Sequence, residues 1–128
     1  MEPMKPPKGL DATARALWRV VVADLEDRGV LRDADRAAIE RYVIAEQVAR
    51  EALDRIRGRE LEVGGEAWLI QISHGGWGVH PDARIWRESS AAAASASADL
   101  GLSPRARRAL RETSPEDELD RLIAEIER

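Results

Sequence analysis

Apolar residues between positions 11 and 28 recur at helical spacing. Ala14, Leu17, Trp18, Val21, Val22 and Leu25 follow the i, i+3, i+4, i+7 rule, so this stretch is expected to be a helix with one buried face. Asp11 stands where an N-cap belongs, and Gly29 where a C′ glycine would end the helix. Val30 and Leu31 make a short apolar link, after which Asp33 can cap a second helix over 33–57. Its stripe is Ile39, Tyr42, Val43, Ala49, Leu53 and Ile56, and Gly58 is expected to end it. Two helices joined by so short a link must pack on each other, as a helical hairpin or an angled pair.

The pattern changes beyond Gly58. Leu61 and Val63, the Gly64-Gly65 pair, then Ala67, Leu69 and Gln71 predict two short strands around a turn. Trp68, Ile70 and Ile72 fall on the opposite face, so the hairpin is expected to be covered on both sides, one of them by another subunit. His74-Gly75-Gly76-Trp77-Gly78 reads as a flexible loop. Helical spacing returns from Asp82 to Leu100, with Gly101 at C′. Large anchors are few here (Ile85, Trp86 and Leu100), and residues 89–98 are only Ala and Ser. Such a run favours the helix but buries little area; its merit is close approach of another backbone. Ser103-Pro104 and Ser114-Pro115 each place an N-cap serine before an N1 proline, and predict helices over 104–112 and 115–127.

The expected fold is therefore mainly α: an N-terminal helical pair, a small β-hairpin, a long Ala-rich helix and short C-terminal helices. Its organisation is expected to be a flexible, proline-rich arm (1–10), the helical pair (11–58), the hairpin with the association helices (59–113) and an acidic amphipathic helix (114–128). At 128 residues the chain suits one domain, and no internal repeat is visible. It has no cysteine, which excludes disulfides, thiolate metal sites and a cysteine nucleophile. No apolar run approaches the roughly 20 residues of a membrane helix, and Met1-Glu2-Pro3-Met4 lacks the apolar stretch of a signal peptide. A soluble intracellular protein, with no membrane partner, is expected.

Charge sharpens the picture. Twenty basic residues face 24 acidic ones, and all the basic residues but Lys5 and Lys8 are Arg, whose planar fork suits phosphates and carboxylates. The net charge of −4 sits in the tail: 114–128 holds six acids against Arg121 and Arg128, and residues 1–113 are neutral. Just before the tail, Arg105, Arg107, Arg108 and Arg111 are opposed only by Glu112, a density that can neutralise phosphates or meet an acidic partner. Lys5 and Lys8 can track a DNA backbone, and Arg15, Arg19, Arg32 and Arg36 flank the helical pair, which resembles a helix-turn-helix unit.

Catalytic patterns are missing. His74 and His80 lie in or beside a Gly-rich loop with no carboxylate at metal-ligand spacing, and read as ordinary loop histidines. There is no Gly-x-Ser-x-Gly elbow, and Gly75-Gly76-Trp77-Gly78 lacks the Lys and Ser/Thr of a phosphate-binding loop. Glu46–Arg50 and Glu51–Arg55 fall at the spacing of a solvated salt-bridge face. No enzyme, catalytic residue, metal or cofactor is expected. The last predicted helix carries Leu119, Leu122, Ile123 and Ile126 in one stripe; alone it is marginal in water, so it must dock on the core, a neighbouring copy or another partner.

Two segments then resemble a known family. Pro6-Pro7-Lys8-Gly9-Leu10, followed by Ala14, Trp18, Leu25, Gly29-Val30-Leu31, Asp35 and Tyr42, is similar to the N-terminal pattern of phage terminase small subunits. His80-Pro81, a long Ala-rich helix, and Asp99-Leu100-Gly101-Leu102-Ser103-Pro104-Arg105-Ala106-Arg107 resemble that family's closing signature. The likeness covers residues 6–110. It departs at His80, where the family usually has Asn, a better helix cap, and in the unusually Gly-rich loop 74–79. The resemblance implies a non-catalytic role in viral genome packaging in the host cytoplasm. Copies would form a ring, bind the packaging start site on double-stranded DNA, and recruit and regulate the large ATPase/nuclease subunit. On that reading Trp86, Ala91, Ala94, Ser95 and Ala98, with the hairpin, join the copies. The arm, the Arg side of the helical pair and Arg105–Arg111 hold DNA, and Leu119, Leu122, Ile123 and Ile126 dock the large subunit. The alternatives are a helix-turn-helix transcriptional regulator and an adaptor whose acidic tail fills a partner's cationic site. The first needs polar side chains aimed at base edges, and Gln47 is the only amide on the second helix.

Overall fold

A computed structural model describes residues 4–71 and 75–113; the predicted helix over 115–127, Ile72 and His74 lie outside the described residues. Helix α1 spans Ala12–Asp27. The Asp11 carboxylate accepts the Ala14 backbone N–H at 2.8 Å, which satisfies a donor the first turn leaves open. Past the helix, Gly29 at φ +68° lets the backbone N–H groups of Val30 and Leu31 turn back onto the Leu25 carbonyl. All six expected apolar positions of α1 are buried.

Helix α2 spans Asp35–Val63, with its expected stripe buried. Its ends differ from expectation. Asp33 does not cap it; the Asp35 carboxylate instead accepts the Arg32 N–H at 2.9 Å. Gly58 does not end it either. A helical glycine costs about 1 kcal/mol, which does not stop a helix whose next turn is tied down. Arg59 and Glu60 supply the ties, to Asp82 and to the Trp68 indole N–H. The helix ends at Gly64, where φ is +70°.

That extension moves the hairpin. Leu61 and Val63, expected in a strand, form the exposed last turn of α2, and Gly64–Trp68 is a 3-10 turn. Strand β1 (Leu69–Gln71) pairs antiparallel with β2 (Trp77–Val79), in the register Leu69↔Val79, Ile70↔Gly78 and Gln71↔Trp77. The second strand thus comes from the stretch expected to be a loop. Two apolar residues at alternate positions fit a helix end as well as a strand, and length is the arbiter.

Helix α3 spans Pro81–Leu100 and ends at Gly101, φ +59°. His80 does cap it: Nδ1 accepts the Asp82 N–H at 3.0 Å. Helix α4 spans Pro104–Thr113, capped by Ser103 Oγ on the Ala106 N–H at 3.1 Å.

Helices α2 and α3 form a long antiparallel hairpin, with the β-hairpin at its tip. Arg55 and Arg59 meet Asp82 at the tip, and Ala38 and Arg41 share a groove with Ala96 and Asp99 near the base. At the base, α1 and α4 pack against it. One core gathers Leu17, Trp18, Val21 and Val22 of α1, Ile39 and Val43 of α2, Ala93 of α3, and Ala106 and Leu110 of α4. A smaller cluster at the tip joins Ile56, Ala67 and Ala83, with Trp68 and Trp86 edge-to-face at 5.6 Å.

The segment expected to be a mobile arm is anchored from Met4 onward. The buried Trp18 indole N–H must find an acceptor and donates to the Met4 carbonyl at 3.0 Å. Arg36 donates to the Lys5 carbonyl at 2.8 Å, Arg15 to the Leu10 carbonyl at 2.7 Å, and the Leu10 side chain is buried. Among the described residues no helix is long and apolar enough to cross a membrane.

Candidate nucleic-acid interface

The first basic group follows the anchored N-terminal segment. Its contacts bring Lys5, Arg15 and Arg36 to the N-terminal half of α1, with the Arg36 guanidinium 5.5 Å over the Trp18 ring. Lys5, Lys8, Arg15 and Arg36 are exposed, and so are Arg19 on α1 and Arg32 on the link. Arg36 also pairs with Glu40 at 3.2 Å. The exposed face of α1 changes sign along its length, from Arg15 and Arg19 to Glu26 and Asp27. A polyanion is therefore favoured only over the N-terminal half of α1.

The second group is α4. Ala106 and Leu110 face the core, which turns Arg105, Arg107, Arg108 and Arg111 to the surface. Asp24 of α1 fixes this helix. Its carboxylate accepts from the Ser103 hydroxyl and backbone N–H, and from Arg28 at 2.8 Å; Arg28 also holds the Gly101 carbonyl. Burial raises the Asp24 pKa, but these donors more than offset it and hold the carboxyl below the ordinary range. Arg107 and Arg111 line a cleft of about 440 Å³ with Tyr42 and Glu46 of α2 and the small residues of α3. Burial pushes the Tyr42 phenol up, and Glu46 adds to the shift.

The residues expected to join copies lie along α3. Ala91, Ala94, Ser95 and Ala98 are exposed and Trp86 is half-buried, while Ala93 turns into the core. Among the described residues, most of the exposed large apolar side chains gather at the tip: Leu61, Val63, Leu69, Ile70, Trp77 and Val79. Leu119, Leu122, Ile123 and Ile126, expected to dock the large subunit, lie outside the described residues.

Several structural polar residues escaped the sequence reading. Arg50 and Arg55, expected to pair along α2, reach across to Asp11 at 2.6 Å and Asp82 at 3.0 Å. Arg59 joins Asp82, the Ala67 carbonyl and His80 Nδ1, and so clamps the tip. Hydrogen bonds from Arg59 first, then Arg55, hold the Asp82 carboxyl below its usual range despite some desolvation. The i, i+4 spacing of Arg55 and Arg59 put them on one face; their partner was not legible. Gln47 accepts the Asp11 backbone N–H at 3.0 Å and donates to Glu51, so the only amide of α2 is engaged within the fold. Among the described residues no group of three His, Asp or Glu is placed to hold a metal ion.

These features define a class: a mainly helical protein built on a long helical hairpin, with Arg-bearing faces at its base and an apolar tip. Residues 14–117 match the family model of phage terminase small subunits, and the chain belongs to that family. No curated protein and no solved structure matches it. Its role therefore belongs to phage genome packaging in the infected host cell.

Proposed function

We propose that the protein binds double-stranded viral DNA at the packaging start site, assembles into a ring of identical copies, and recruits and regulates the large ATPase/nuclease subunit without catalysing a step itself. One observation carries this reading: the Lys and Arg residues of the N-terminal segment, α1 and α4 lie at the base, whereas most of the exposed large apolar groups among the described residues lie at the tip, where Arg55 and Arg59 are tied to Asp82. The 29 residues of α2 separate the two by roughly 40 Å at 1.5 Å per residue. Contiguous exposed apolar surface marks a contact site, and the tip, continued by Trp86, Ala91, Ala94, Ser95 and Ala98, suits contact between copies. The base suits a polyanion. Residues 1–113 carry no net charge, so one copy grips DNA weakly. A ring multiplies that grip through effective concentration. Residues 114–128, acidic with one apolar stripe, suit a partner with an apolar groove edged by cations, and the large subunit is that partner.

The test is the salt dependence of DNA binding. Reversing Arg15 and Arg19 to Glu removes up to two phosphate contacts per copy. Binding should weaken, and the slope of log affinity against log salt should flatten by about one to two per copy engaged. Unchanged binding moves the DNA site to α4, and loss of DNA binding from neither group overturns the DNA reading.

A further inference from the structure

The cleft between α2, α3 and α4 has a floor and a rim of different chemistry. Ser90, Ala93, Ala94 and Ser97 of α3 make the floor, and their small side chains let another backbone come close. Tyr42 and Leu110 wall it, and its charged lining is two guanidiniums, Arg107 and Arg111, against one carboxylate, Glu46. We propose that this cleft is the seat of the chain's own residues 114–128, docked as an amphipathic helix. Leu119, Leu122, Ile123 and Ile126 would lie on the Ala/Ser floor, with acidic neighbours against Arg107 and Arg111; a seat filled in this way takes Ala94 out of the face offered above to a neighbouring copy and leaves Trp86, Ala91, Ser95 and Ala98 to it.

Chain geometry favours this occupant. Helix α4 ends at Thr113, two residues beyond Arg111 and three beyond Leu110, so the segment leaves from the rim of the cleft. Ser114-Pro115 carries the signals of a fresh helix start, which allows the chain to reverse there. A helix over 115–127 would run to roughly 20 Å, ample for a floor that takes up two turns of α3. Charge favours it too. The segment brings six acids against two arginines, and α4 offers four arginines against Glu112. A tethered segment arrives at an effective concentration in the millimolar range, which offsets the poor stability of so short a helix. On the DNA reading above, the seated segment competes with DNA for α4, and a large subunit that takes the segment uncovers Arg107 and Arg111. The seat itself is a property of the free chain and stands or falls without DNA.

The chain has no cysteine, so disulfide trapping in the full-length protein tests the seat directly. Ala94 is exposed, and Ala94→Cys leaves the core untouched. It is paired in turn with Leu119→Cys, Leu122→Cys, Ile123→Cys and Ile126→Cys; Ala23→Cys, exposed on α1, serves as the control. Under mild oxidation at least one position of the stripe should close a disulfide to residue 94 about tenfold faster than to residue 23, at the mass of a single chain. Adding Arg107→Glu and Arg111→Glu should slow that closure, and the Lys versions should largely restore it. Rates equal to the control for all four positions overturn the proposal. A disulfide found only between two chains overturns it as well, because the seat then belongs to a neighbouring copy.

Discussion

Asp24 and Asp82 each close a corner of the chain that no local pattern foretells. Asp24 ties the start of α4 to α1 across 79 residues, and Asp82 ties the start of α3 to Arg59 across 23. Both carboxyls sit below the ordinary range, near 4, so their charged forms are favoured by folding. Their stabilisation is full above the unfolded-state pKa and drains away as pH falls through the lower folded-state values. Acid titration of stability should therefore show a loss beginning near pH 4, and Asp24→Asn and Asp82→Asn should each flatten it. At neutral pH each variant should cost about 1–2 kcal/mol, read by urea denaturation. An acid limb of unchanged steepness would show that these pairs do not set it. Local caps were legible at this scale: Asp11 and Ser103 act where their positions said they would. Arg55, Arg59 and Arg50 were not, because a charge finds its partner through the fold rather than along the helix.

At the scale of the element, glycine placement decides where α2 stops. Gly58 has a helical conformation, and a Cβ built on it meets nothing within 4 Å. Gly58→Ala should stabilise the protein by about 0.5–1 kcal/mol, since it trims the unfolded ensemble at no steric cost. Gly64 also has open space but a φ of +70°, so Gly64→Ala should destabilise by about 1 kcal/mol through backbone strain alone. Thermal melts of the two variants should move in opposite directions. A shared direction would mean that α2 ends at Gly58 after all, the end its sequence suggests. The N-terminal segment makes a related point. Its prolines suit an extended path, and the buried indole of Trp18 together with Arg15 and Arg36 decides where that path lies.

For the whole molecule, what matters is the separation of the apolar tip from the Arg-bearing base. Trp77 and Val79 are 54% and 41% exposed, a large apolar area to leave in water on a two-stranded sheet. The double variant Trp77→Asp, Val79→Asp should reduce a large assembly to smaller species in light scattering while leaving the helical circular dichroism of α1–α4 intact. Mass unchanged by these charges would move the contact between copies to the exposed Ala91, Ser95 and Ala98 of α3. Recruitment of the large subunit is checked separately. Leu122→Asp with Ile126→Asp should abolish stimulation of that subunit and preserve the mass of the assembly.

The sequence by itself determined the helical class, the buried stripes of α1 and α2, the caps at Asp11 and Ser103, and the family. All of these rest on short-range periodicity, local hydrogen bonding or a run of adjacent residues, which one strand of text contains in full. Tertiary structure alone decided that α2 runs to Val63, that residues 77–79 form the second strand, and that Arg50, Arg55 and Arg59 act as cross-links. Each of these choices lies between locally near-degenerate states, a helix turn or a strand, a solvated charge or a paired one. Contacts between residues distant in sequence supply the small free-energy difference that settles it.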